Sequence, residues 1–141
     1  MALVRFRRSR RRRGMAMVEM IFVLPVLLLI IFAIAEFGLM FQRWLTLSNA
    51  VREGARELVV FRSPATCNAG QVVTDVQNRV VTYANAGGVG IGNGDVQVNG
   101  ACAGSGTAGT VSADFDFVLN VPFAPSLGTI PLSYSSQMRN E

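Results

Sequence analysis

From Met20 to Ala35 the chain reads MIFVLPVLLLIIFAIA, sixteen residues without a polar side chain, and Phe37 to Phe41 resumes the run after Glu36. A helix that is apolar around its whole circumference suits lipid rather than a surface facing water. Those sixteen residues reach only about 24 Å as a helix, against a hydrocarbon core of roughly 30 Å. Extending the window to Met15–Phe41 supplies the missing length and puts Glu19 and Glu36 near its two ends. At Gln42 the continuous run gives way to a periodic one. Through QRWLTLSNAVREGARELVVFR, Gln42 to Arg62, the positions Trp44, Leu47, Val51, Gly54, Leu58 and Phe61 recur at a 3-4-3-4-3 spacing, one narrow stripe on a helix. Arg52, Glu53, Arg56 and Glu57 fall mainly off that stripe, with Glu53 and Arg56 placed for an i,i+3 pair. Nothing between Phe41 and Gln42 breaks a helix. Ser63-Pro64 does, because proline pushes the residue before it out of the helical region. One rod from about Met15 to Arg62 follows, 48 residues and about 72 Å long. It is membrane-spanning over 15–41 and amphipathic over 42–62. Pro25 must kink or loosen it, since it removes one ladder hydrogen bond.

The remaining 79 residues, 63–141, predict a small α+β domain. In QVVTDVQNRVVTYANA, Val72, Val73, Val76, Val80, Tyr83 and Ala84 fit one face of a short helix. GGVGIGNG, Gly87 to Gly94, reads as a loop. Its glycines lack the G-x-G-x-x-G spacing, and no helix follows them, so a phosphate cradle does not fit. DVQVN alternates through Val96 and Val98. DFDFVLNV alternates strictly, with Phe115, Phe117, Leu119 and Val121 on one face and Asp114, Asp116 and Asn120 on the other. Two carboxylates at i,i+2 suit either calcium or a solvated strand face, and the solvated face is the simpler reading. GACAGSGTAG connects these strands as a flexible segment. Ile130, Leu132 and Tyr134 form a last strand, where Pro131 implies an edge. The expected fold is therefore α+β: a long helical stem carrying one short helix and an antiparallel three-stranded meander. So thin a core is marginal alone and should lean on the rod and on a covalent cross-link.

Charge then orients the chain. All 13 basic residues are arginine, and seven of them (Arg5, Arg7, Arg8, Arg10, Arg11, Arg12 and Arg13) precede Gly14. The rest carries six arginines against nine acids, a net of −3 that the overall +4 conceals. A basic tail without interleaved aromatics does not resemble a nucleic-acid surface. Placed directly before an apolar span, it follows the positive-inside rule, with the N-terminus cytoplasmic and everything after Phe41 outside. Cys67 and Cys102 then sit in an oxidising space, where a disulfide is the default. Two cysteines and no histidine leave no set of zinc ligands. Nor do they leave the base or free thiol of an enzyme, and no cofactor motif is present.

Glu19 is the informative acid, because a carboxylate inside a span costs of the order of 2.5–3.5 kcal/mol at the bilayer centre. Its position one turn beyond Met15 allows it to reach headgroups. Yet the order of features is specific: Arg10 to Arg13, Gly14, four residues, Glu19, then a long apolar helix containing proline. This resembles the prepilin processing site of the Flp-type, or tight-adherence, pilins, with Met20 standing where that pattern usually has an aromatic. VEMIFVLPVLLLIIFAIAEFGLMFQRWLTLSNAVREGARE is similar to the N-terminal region of TadE-like pseudopilins. The Leu-Pro pair, the Glu36-Phe37-Gly38 triplet and the Arg52-Glu53-Gly54-Ala55-Arg56 block carry that likeness. The domain that follows agrees more loosely.

The resemblance implies a basic leader over 1–14, cleavage between Gly14 and Met15 by a membrane prepilin peptidase, and a role for Glu19 in subunit register. It implies partners among other pilins or pseudopilins and an inner-membrane assembly platform, with membrane lipid around the stem before assembly. It places the protein in a bacterial cytoplasmic membrane, from which it joins or serves a pilus. Two rivals compete. One is a secreted protein cut by signal peptidase after Ala33-Ile34-Ala35. The other is an uncleaved bitopic protein whose outer domain binds a partner.

Overall fold

The computed structural model describes residues 11–60, 67–121 and 124–139, with the backbone alone described at 11–14, 120–121 and 124–127. Helix α1 spans Arg11–Leu58, 48 residues, and Pro25 lies inside it without interrupting it. It ends four residues before Arg62. Phe61, Ser63 and Pro64 lie outside the described residues.

The outer part of α1 carries the domain. Leu47, Val51, Gly54 and Leu58 of the periodic stripe are buried, while Trp44, at its N-terminal end, is exposed. Ala50 and Ala55 are also fully buried and widen the stripe. The widening has a plain cause: α1 is packed on two sides, by a second helix and by a sheet.

Helix α2 spans Ala69–Ala86, and Asn68 caps it, its Oδ1 accepting from the Gln71 backbone N at 3.3 Å. Val72, Val76, Val80 and Ala84 are buried. Val73 is half-buried and Tyr83 exposed, because the buried line follows i,i+4 steps and those two residues fall beside it. The glycine-rich stretch is indeed a connection, yet a packed one. Val89 and Ile91 are buried, and the Asn85 side chain clasps Ile91 by donating to its O at 3.3 Å and accepting from its N at 3.2 Å. A 3-10 turn, Asn93–Asp95, leads into the sheet.

Strands β1 (Val96–Asn99), β2 (Ala108–Val121) and β3 (Ala124–Arg139) form an antiparallel sheet in the order β1-β2-β3. This α+β architecture is the one the sequence predicts. The strands run longer than the alternating segments suggest. Ala108 to Ala113 already belong to β2, which pairs with β3 from Ala108↔Arg139 to Val121↔Ala124, with a register shift between Val118 and Asn120. Pro131 lies on β3, an outer strand, opposite Asp116. Val111, Ala113 and Phe117 point into the core, and Asp114 and Asp116 are exposed.

The Cys67–Cys102 disulfide, with Cα atoms 5.8 Å apart, ties the start of α2 to the β1–β2 connection. It closes a loop of about 36 residues, for which the chain-entropy model gives about 4 kcal/mol. Replacing both cysteines by serine is expected to lower the unfolding free energy by up to that amount, read from denaturant unfolding of the full chain in micelles. A loss below about 1 kcal/mol would mean that docking on α1 alone organises both segments.

Candidate functional site

Between Met15 and Phe41 the apolar side chains of α1 lie open to the surroundings: Met15 is 78% exposed, Phe22 73% and Phe37 64%. Such a surface is stable only in lipid or against other apolar helices. α1 is also the helix long and apolar enough to cross a membrane among the described residues. Glu19 is exposed on it, one turn along from Met15 and next to Met20, and Glu36 is half-buried.

The Gly14–Met15 bond lies in helical backbone, where Gly14 costs about 1 kcal/mol of helix propensity relative to alanine. Arg10 and the rest of the basic segment lie outside the described residues.

The outer end of the stem is a clamp built from the Arg52-Glu53-Gly54-Ala55-Arg56 block. Gly54 sits where α1, α2 and β2 meet. A Cβ there would collide with Cγ2 of Val80 and would lie 3.5 Å from Val76 and 3.6 Å from Val111. On one flank Arg52 Nε donates to the Tyr134 hydroxyl of β3 at 3.0 Å, with its guanidinium 5.5 Å from the ring centre. On the other, Glu53 accepts from Arg79 of α2 at 2.9 Å and lies 3.9 Å from Arg56. The sequence suggests the Glu53–Arg56 pair but not the closer partner, since Arg79 is 26 residues away. The hydrogen bond from Arg79 holds the Glu53 carboxyl below its ordinary value of 4.5, and the positive charges of Arg79 and Arg56 add to the effect against partial desolvation.

Further down the stem, a feature absent from the sequence reading comes into view. Arg43 lies 5.1 Å over the Phe117 ring. Below that level the β2–β3 hairpin continues beside α1. Phe117, Leu119 and Ile130 face Leu29, Ala33, Phe37 and Met40 across a cleft of about 350 Å³, in which Glu36 is the ionisable side chain. Of the Glu36-Phe37-Gly38 triplet, the first two residues line this cleft, while Gly38 has open space around its Cα. On the opposite side of the sheet, Asp95, Asp114 and Asp116 rim a shallow depression. The Asp95 carboxylate is engaged by the Gly92 N–H at 2.8 Å. Among the described residues no three His, Cys, Asp or Glu side chains gather into a cation site.

Residues 14–56 match the family described as TadE-like protein. The matched stretch opens at Gly14 and closes at Arg56, so it takes in the apolar stem and the clamp and leaves α2 and the sheet outside. No curated protein and no solved structure matches the chain.

Two predictions follow from the clamp. Gly54→Ala gains about 1 kcal/mol of helix propensity but forces overlap with the fully buried, β-branched Val80, an overpacking cost of about 1–3 kcal/mol. A net loss of about 1 kcal/mol in denaturant unfolding is expected. The Glu53 carboxyl is depressed in the folded state, so its contribution to stability is present above pH 4.5 and disappears as pH falls below it. Glu53→Gln should therefore melt lower than the unmodified chain at neutral pH, and the difference should close in acid.

Proposed function

We propose that this chain, TadE-like along its stem, is a minor pilin-like subunit of a Tad pilus system, anchored with its N-terminus in the cytoplasm and matured by a prepilin peptidase. The observation that carries this reading is the Gly14-x4-Glu19 motif at the head of an open apolar helix, inside the segment that matches the TadE-like family.

The chemistry of maturation is a single hydrolysis. Water adds across the Gly14–Met15 amide, leaving a carboxylate on the leader and an α-amine on Met15. Seven arginines depart with the leader, so the charge that holds the N-terminus at the cytoplasmic face is lost. The new amine, with a reference pKa near 8, is mostly protonated at neutral pH. Stems freed in this way exchange lipid for each other. In the low dielectric of such a bundle an unpaired Glu19 is costly, and the Met15 amine of a neighbouring stem satisfies it. Glu19 thereby sets the register between adjacent subunits.

The test is the N-terminal residue of the protein recovered from membranes, with and without an active prepilin peptidase. Met15 is expected when the peptidase is active and the intact leader when it is not. Glu36 at the N-terminus would instead identify signal peptidase, and a persistent leader with the peptidase active would identify an uncleaved bitopic protein. Glu19→Gln should leave processing normal and abolish or sharply reduce co-purification with other pilus subunits. Normal assembly in that variant would remove the register role.

A further inference from the structure

In the domain that follows the stem, asparagine stands directly before glycine at Asn93-Gly94 and again at Asn99-Gly100. This dipeptide carries a latent reaction. Glycine has no side chain to hinder its own backbone nitrogen, and the asparagine carboxamide lies within reach of that nitrogen. Asparagine is counted among the thermolabile residues. The glycine nitrogen, once its proton is lost to solvent base, adds to the asparagine Cγ. Ammonia leaves and a five-membered cyclic imide closes. Water then opens the imide at either of its carbonyls. One opening gives aspartate. The other gives isoaspartate, in which the main chain runs through the former side chain. The net change is water in and ammonia out.

A fold permits this reaction where the carboxamide is free to turn and the backbone can leave its hydrogen-bonded conformation. At Asn93 both are blocked. Its Nδ2 donates to Asn78 Oδ1 at 3.1 Å, and its carbonyl accepts from Gln77 Nε2 at 3.2 Å. The residue also opens the 3-10 turn, whose Asp95 N–H donates to the Gly92 carbonyl at 3.1 Å and whose following Val96 N–H donates to the Asn93 carbonyl. Helix α2 therefore grips this asparagine by side chain and by main chain.

Asn99 is placed differently. It is the exposed last residue of β1, and its partner Thr110 closes that ladder. Among the described residues its carboxamide has no hydrogen-bond partner. Gly100 has already left the strand, exposed and with φ of +86°, and its carbonyl accepts from the Ala103 N–H at 3.3 Å to start the connection to β2. Turning the Asn99 main chain toward the imide thus opens one terminal strand pair, and element ends are where native structure opens at least cost.

We propose that Asn99 is a spontaneous modification site of the folded protein, converted through attack by the Gly100 nitrogen to aspartate and isoaspartate, while its bonds to α2 protect Asn93. The inference depends neither on the stem crossing a bilayer nor on cleavage after Gly14. Its structural effect falls on the β1–β2 connection. At Gly100 the two limbs run so close that a Cβ would lie 2.9 Å from the Ala108 carbonyl oxygen. Isoaspartate lengthens one limb by a backbone methylene, while Cys102 is held by its bond to Cys67. The strain is relieved by giving up the Asn99↔Thr110 pair.

The test compares folded and unfolded rates at the two sites. The full chain, oxidised and folded in micelles, is incubated in warm, mildly alkaline heavy-oxygen water beside the same chain reduced and unfolded in guanidinium. Peptide mapping by mass spectrometry follows each asparagine, and a protein isoaspartyl methyltransferase counts isoaspartate. Folding is expected to slow Asn93 by about tenfold or more and Asn99 by no more than a few-fold. Isoaspartate should appear at position 99, and Asn99→Gln should remove that methyl-accepting signal. Equal protection of the two sites, or faster conversion at Asn93, would overturn the proposal. So would conversion at Asn99 without isoaspartate, because direct hydrolysis of the carboxamide yields aspartate alone.

Discussion

Everything outside the stem depends on how closely two helices approach at Gly54. Because that residue has no side chain, Val80 comes directly against the α1 backbone, and Val76 and Val111 close in from α2 and β2. A similar close approach recurs at the far end of α2, where a Cβ on Gly87 would collide with Thr46 of α1. With contact made at Val80 and again at Gly87, the C-terminal half of α2 is held on the stem and the sheet covers another side. The core that results is small-residue and valine-rich, with Phe117 its largest fully buried side chain. A core of this size gains its stability from fit, and the charged residues beside Gly54 add specificity of placement. Arg52 reaches the sheet and Glu53 reaches α2, so one turn of helix addresses both layers at once.

That arrangement gives physical content to the boundary of the family match. The match closes at Arg56, the last residue of the clamp, and leaves the docked layers outside.

Much of this was legible from the residues. The apolar run and the 3-4 spacing define α1, and the alternation through Phe115, Phe117 and Leu119 defines the inner face of β2. Local pattern is enough for such features because each is a repeat within one element. What was not legible was non-local. Arg79 rather than Arg56 is the nearer partner of Glu53, because the pairing depends on how α2 crosses α1. Ala50 and Ala55 join the core only because a second layer covers their side of the helix. The early part of β2, Ala108 to Ala113, is small and glycine-adjacent and reads as loop until β1 and β3 flank it. Of the candidate site, the motif around Gly14 and Glu19 is legible through its resemblance to a prepilin processing site, whereas the cleft beneath Phe117 needs the hairpin to be placed against the stem.

Beyond Pro25 the helix runs on through the clamp to Leu58 with no further proline, so no proline separates the apolar segment from Val26 onward from the domain it carries. A displacement of the stem along its axis is delivered undiminished to the sheet, and one helical turn of travel raises the domain by about 5.4 Å. Such a helix behaves as a push-rod: whatever grips its apolar segment also steers the domain.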